Sequence, residues 1–257
     1  LGLLDVTRVR EWFAGLDATF PTRNANAYAL LRAILNQAVD DELLIVNPCR
    51  VKGAAVKHRK REPIALTAAQ IVAFAEKMPP RWSALVALAG FSGLRWGELA
   101  ALQRRDLDLA QGQCSVTVAR AVVRTGGRYI TDRPKSAAAL RTVPLPDQLR
   151  VILTEHIGTW SAPGATGLVF PAASGDVLNR DTVKESFAAA AAAIGHPKLL
   201  PHDLRHSAAT LFAQAGATLA DHMALMGHTS AAMSARYTHS TATRTRGLVQ
   251  GMWPSDE

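Results

Sequence analysis

The residues of this chain whose types and spacing suit chemistry lie mostly in its last third. His202-Asp203-Leu204-Arg205-His206 comes first, Leu225-Met226-Gly227-His228 follows, and Ala235-Arg236-Tyr237-Thr238-His239 closes the series. Imidazoles that can share a proton, a fixed cation and a phenol suit nucleophilic attack on a phosphodiester. The phenol must lose its proton, and the phosphorane must be met by positive charge. That charge builds on two non-bridging oxygens, to which a planar guanidinium donates two parallel hydrogen bonds. A clamp therefore needs two arginines from different elements, of which this cluster offers Arg205 in its His-x-x-Arg run.

The leaving oxygen also needs an acid, and Lys135 is the candidate. It is the only lysine between Lys77 and Lys184, where eleven arginines fill the other basic positions. An arginine binds phosphate but does not give up its proton, whereas a lysine pKa can fall far enough to do so. Each candidate has a plainer alternative: a solvated loop for Lys135, a helix-start cap for His202 and a turn histidine after Gly227 for His228. For Tyr237 it is a half-buried phenol with a satisfied hydroxyl. His202 and His206, four apart, could share a helix face and bind a metal, but Arg205 between them would oppose a dication.

The order and spacing resemble the tyrosine recombinases, the phage-integrase family. The resemblance rests on the His-x-x-Arg of His202 and Arg205, on Gly227-His228, on Tyr237, and on an upstream Gly93-Leu94-Arg95-Trp96-Gly97-Glu98-Leu99 segment. It implies that Arg95 and Arg205 form the clamp, against the alternative of surface ion pairs with Glu98 and Asp203. His202 would take or hold the phenolic proton, His228 would donate to a phosphate oxygen, and Tyr237 would be the nucleophile. Pro134-Lys135-Ser136, followed by Leu140-Arg141-Thr142-Val143-Pro144-Leu145, resembles the hairpin that brings the family's lysine to the leaving 5′-oxygen. The resemblance further implies a 3′-phosphotyrosine intermediate that conserves bond energy, with no cofactor, neither ATP nor metal. Its expected partners are double-stranded DNA attachment sites, a homo-tetramer on DNA, and accessory DNA-bending or directionality proteins. A segment after the tyrosine, Thr238 to Trp253, would dock on a neighbour through Leu248, Val249, Met252 and Trp253. A type IB topoisomerase shares this chemistry, and a DNA-binding regulator with a relict site is the non-enzymatic alternative.

Those residues need a scaffold, and the sequence outlines a mainly helical one with a small antiparallel β-sheet. Asp5 to Leu16 and Thr22 to Leu43 read as amphipathic helices, the second carrying Tyr28, Leu31, Leu35 and Val39 on one face. Thr67 caps a helix over 68–77, and the apolar stretch 81–91 predicts a buried one. Gly93 supplies a sharp turn into a further helix at 96–102. Segments 113–123, 128–131 and 140–144 are β-prone, with Thr125-Gly126-Gly127 a hairpin signal. Helices are expected over 147–160, 181–194 (capped by Asn179), 203–215 and 219–226. By resemblance, residues 1–55 form a helical core-binding domain, 56–63 a basic linker and 64–257 an α+β catalytic domain. The first domain shows two helices where the family usually has four or more, and the chain starts at Leu1. Either an upstream part is absent from this sequence or the domain is minimal.

Composition agrees with this organisation. The 257 residues, 48% of them hydrophobic, suffice for a substantial core, and a net charge of +8 favours a polyanionic partner. Arg50, Lys52, Lys57, Arg59, Lys60 and Arg61 form a stretch with no acid, either a solvated linker or one that follows a phosphate backbone. Cys49 and Cys114 lack metal-ligand spacing, and the apolar runs 84–91 and 187–194 fall short of the roughly 20 residues of a membrane helix. A cytoplasmic, DNA-associated protein of a bacterial host cell is expected, with no membrane partner.

Overall fold

The computed structural model describes residues 4–56, 61–132, 140–227, 246, 249–250 and 252–253. The chain divides into two compact units, Leu1–Glu62 and Pro63–Glu257.

The first unit holds α1 (Val6–Ala14) and α2 (Pro21–Asp40). Asp5 caps α1 by accepting the Arg8 N–H at 2.8 Å, and Pro21 opens α2, where a missing N–H costs nothing. α2 ends short of the expected Leu43, and Glu42 just beyond it has a left-handed φ of 59°. Val9, Tyr28, Leu35, Cys49 and Ala54 form the small core. The Tyr28 hydroxyl accepts the Val51 N–H at 2.8 Å, so this phenol is both buried and satisfied. Tyr28 is structural.

The second unit is built around α4 (Pro80–Ser92), which is buried on nearly every side because its sequence is apolar almost all round. α3 (Ala68–Lys77), α6 (Gln148–Thr159) and α8 (Pro201–Gln214) pack against it. α7 (Arg180–Ala193) covers α3, with Phe74 and Phe187 edge to face at 4.8 Å. Thr67 caps α3 in a reciprocal box with Gln70, and Asn179 caps α7 by accepting the Asp181 N–H at 3.1 Å. α8 starts at Pro201, two residues before the expected Asp203, because proline suits a first helical turn; His202 is therefore inside the helix. α5 (Trp96–Ala100) and α9 (Leu219–Met226) are short.

Among the described residues two sheets stand where a single one is expected. β1 (Leu107–Asp108), β2 (Ser115–Val118) and β5 (Arg141–Pro144) form an antiparallel sheet in the order β1-β2-β5. β3 (Ala121–Thr125) and β4 (Arg128–Asp132) form a separate hairpin, closed at Thr125-Gly126-Gly127 as its sequence predicts. The run 113–123 breaks because its halves have different environments. Ser115–Val118 is largely buried, Ala121–Thr125 becomes exposed, and Arg120 between them pairs with the buried carboxylate of Asp106. None of the described helices is long and apolar enough to cross a membrane.

The described residues of the C-terminal segment pack within the second unit. Val249 and Met252 are buried in this unit's own core, and Trp253 stacks on Phe91 with ring centres 4.9 Å apart. The described apolar residues of that segment find their seat within the chain because α4 presents Phe91 to them.

The β3–β4 hairpin rests on α5 at Gly97, where a Cβ would collide with the Val122 carbonyl oxygen. That obstacle is backbone, which a side-chain rotation cannot relieve. Gly97→Ala is expected to lower stability by about 1–3 kcal/mol, read from urea unfolding, as overpacking does. An unchanged midpoint would contradict this close approach.

Candidate active site

The site assembles where α4 ends. Gly93 adopts a left-handed φ of 67°, which stops α4 and turns the chain into Leu94-Arg95. Arg95 occupies the N-cap of α5, and its backbone N–H donates to Glu98 Oε2 at 2.7 Å. Its side chain donates through Nη1 to Glu98 Oε1 at 3.1 Å while remaining 43% exposed. Arg95 is thus fixed at its root by a buried acid and open to solvent at its head.

Glu98 is shared. Arg141, at the start of β5, donates from Nη1 to Glu98 Oε1 at 3.1 Å and from Nη2 to Oε2 at 2.9 Å. Burial alone would raise the Glu98 pKa. The Arg141 hydrogen bonds and charge, then the Arg95 N–H and charge, outweigh it and hold the carboxyl below the ordinary glutamate range.

Arg205 comes from α8, 5% exposed. It donates from Nη1 to the Gly93 carbonyl at 2.5 Å and from Nη2 to the Met226 carbonyl at 2.6 Å. Desolvation, then repulsion from Arg95, pulls its pKa down to about 10, so it remains a cation at neutral pH. Arg95, Arg141 and Glu98 all lie within electrostatic reach of it. Two arginines that the sequence assigned to a clamp, from α5 and α8, are therefore neighbours in space.

His202 lies one turn before Arg205 and meets His206 edge to face at 4.9 Å between ring centres. Desolvation comes first, then the nearby His206 and Arg205, in lowering its pKa. A neutral imidazole is the form that accepts a proton. Asp203 Oδ2 accepts the Leu200 N–H at 2.7 Å and secures the start of α8. His202 and Arg205 line one cavity with Trp96 and Arg180, the Arg180 guanidinium lying 5.7 Å from the Trp96 ring centre. Arg180 had no motif around it to mark it, and Arg141 was visible only within the stretch beside Lys135.

Three of the six proposed catalytic positions, Arg95, His202 and Arg205, are thus brought together. Lys135, His228 and Tyr237 lie outside the described residues. Of the basic stretch, Arg50 and Lys52 are exposed and Arg61 is half-buried, while Lys57, Arg59 and Lys60 also lie outside. Among the described residues no group of three or more His, Cys, Asp and Glu has metal-binding geometry, so His202 and His206 have no such third partner there.

Residues 65–244 match the phage integrase family. The chain belongs to that family. A putative prophage phiRv2 integrase of Mycobacterium tuberculosis is 37% identical over 96% of this chain, and the integrase of Mycobacterium phage D29 is 32% identical over 95%. The chain spans 66% and 65% of the lengths of these two relatives. In fold it is similar to the Tn1549 transposon integrase, solved in complex with transposon right end DNA. That match has a TM-score of 0.72 at 22% identity and covers 96% of this chain and 84% of the other. The mainly helical architecture with small antiparallel sheets is therefore the fold of tyrosine recombinases.

The His202 environment makes a pH prediction. Since folding lowers this pKa, the neutral ring's contribution to stability is full above the ordinary imidazole value of 6.5 and declines as pH falls through it. An NMR titration of the ring should give a midpoint below 6.5, and His206→Ala should move it upward. A wild-type midpoint at or above that value would contradict the geometry.

Proposed function

We propose that this chain carries the strand-cleaving and strand-joining centre of a site-specific DNA recombinase. The observation that carries the reading is the convergence of Arg95, held by buried Glu98, with Arg205 and His202 at the end of α4. Such a constellation can neutralise two phosphate oxygens and accept a proton beside them. The integrase and recombinase names of the relatives favour recombination over a topoisomerase or a regulator with a relict site.

Tyr237 is the nucleophile in this reading. Its phenolic oxygen forms a bond to phosphorus while the bond from phosphorus to the 5′-oxygen breaks, leaving a 3′-phosphotyrosine. His202 takes the phenolic proton, Lys135 protonates the departing 5′-oxygen, and His228 donates to a non-bridging oxygen. A second 5′-hydroxyl then attacks the phosphotyrosine, reversing each bond change on a new strand. Because the ester retains the bond energy, the cycle needs no ATP.

The partner is double-stranded DNA carrying attachment sites. Unit 1 is the core-binding domain, and Arg50, Lys52, Lys57, Arg59, Lys60 and Arg61 track the phosphate backbone. The assembly is a homo-tetramer on two DNA segments, with accessory DNA-bending or directionality proteins in the full reaction. The setting is the cytoplasm of a bacterial host.

A suicide DNA duplex, nicked beside the cleavage point so that the released strand diffuses away, tests the chemistry. With a chelator present, wild type should accumulate a covalent protein–DNA adduct, and Tyr237→Phe should reduce its rate by at least about a thousandfold, as loss of a nucleophile does. Undiminished adduct in the variant would remove Tyr237 from its role. Chelator-sensitive cleavage would overturn the metal-free scheme.

A further inference from the structure

Arg141 has no place in the six-residue scheme, yet it joins the buried Glu98 to the end of α9. Its side chain is 6% exposed and its fork closes on both oxygens of Glu98, itself 5% exposed. The remaining nitrogen, Nε, donates to the Leu225 carbonyl at 2.8 Å. Leu225 lies in the last turn of α9, two residues before Gly227. A Cβ at Gly227 would come within 2.9 Å of Arg141 Nη1 and 3.2 Å of Cδ and Cζ, so the guanidinium lies directly against that backbone. Gly227 also has a left-handed φ of 60°, which ends α9. Glycine is thus required at that position twice, by its backbone angle and by the Arg141 side chain.

We propose that Arg141 is a positioning residue for phosphoryl transfer, one guanidinium that sets Arg95 through Glu98 and sets the end of α9 through the Leu225 carbonyl. The role rests on the function proposed above. Through Glu98 it fixes the angle at which Arg95 meets a phosphate. Through Leu225 and Gly227 it fixes the backbone whose next residue in sequence is His228. The Met226 carbonyl between them is held by Arg205, so adjacent carbonyls of one helix end are gripped by arginines from β5 and α8. Glu98 is faced by Arg95 from its own helix, by Arg141 from β5 and by Arg205 from α8. It is the counter-charge that lets three guanidinium groups share this space. Arg141 makes no contact with substrate in this scheme; its effect passes through others.

A lysine at this position keeps the charge but cannot span two carboxylate oxygens and a carbonyl at once. The test combines single-turnover adduct formation on the suicide duplex, DNA affinity by fluorescence anisotropy on an intact duplex, and thermal unfolding. It is run on the whole chain well below every variant's melting temperature. Arg141→Lys should slow adduct formation by about a hundredfold, the scale expected when a catalytic group is misplaced by about 1 Å, with DNA affinity unchanged within about threefold. Glu98→Gln should do the same, and joining it to Arg141→Met should slow the reaction no further than the worse single variant, since the two act as a unit. Where Arg141→Met does not fold, the lysine variant alone decides.

A lysine variant that cleaves within about threefold of wild type overturns the proposal. So does a rate loss matched by an equal loss of DNA affinity, or rate losses at Arg141 and Glu98 that multiply. Absence of any adduct from wild type is a different result: it overturns the functional reading, and this role with it.

Discussion

The site depends on one buried carboxylate. Glu98 accepts from the backbone and side chain of Arg95 and from both arms of the Arg141 fork, so each of its oxygens has two donors. Burying a carboxylate is costly, and the pair with Arg141 offsets that cost only because the geometry is complete. Removing one partner of such a pair typically costs about 3–5 kcal/mol. The charge sum explains why the arrangement is needed. Three guanidinium groups approach one another here, and without an acid among them their mutual repulsion would push the exposed Arg95 outward.

The ends of helices supply the rest of the negative charge. α4 and α9 each finish on a left-handed glycine, Gly93 and Gly227, and each leaves carbonyl groups at its last turn. Those carbonyls carry the negative end of the helix dipole, and they are the acceptors for Arg205 and Arg141. Glycine, helix end and arginine are therefore parts of one device. The cations are held by the protein's own acceptors, the preorganisation that stabilising a developing negative charge would require.

Much of this was legible in the sequence because it is local. Thr67 with Gln70, Asn179 before Arg180-Asp181, and Gly93 after an apolar run are signals contained within a few residues, and each marks the boundary it suggests. Arg95 and Arg205 were legible because they stand in short motifs. Arg141 was not, because its partners Glu98 and Leu225 lie 43 and 84 residues away and no local pattern announces them. The division of the β-prone run 113–123 was hidden for a related reason. Whether a strand has one buried face or two depends on which distant strand lies beside it, and β2 lies against β5 while β3 pairs with its neighbour in sequence, β4. The seat of Val249, Met252 and Trp253 is equally non-local, since apolar spacing shows that a segment needs a cover and not which surface provides it.

The charge state of Glu98 tests this arrangement most directly. A carbon-detected NMR titration of its carboxyl group in the folded protein should place the midpoint below the ordinary glutamate value of 4.5, because the Arg141 fork and the Arg95 contacts outweigh the effect of burial. A midpoint at or above that value would mean that burial prevails over the arginines. The carboxylate would then not be the anchor on which Arg95 and Arg141 depend.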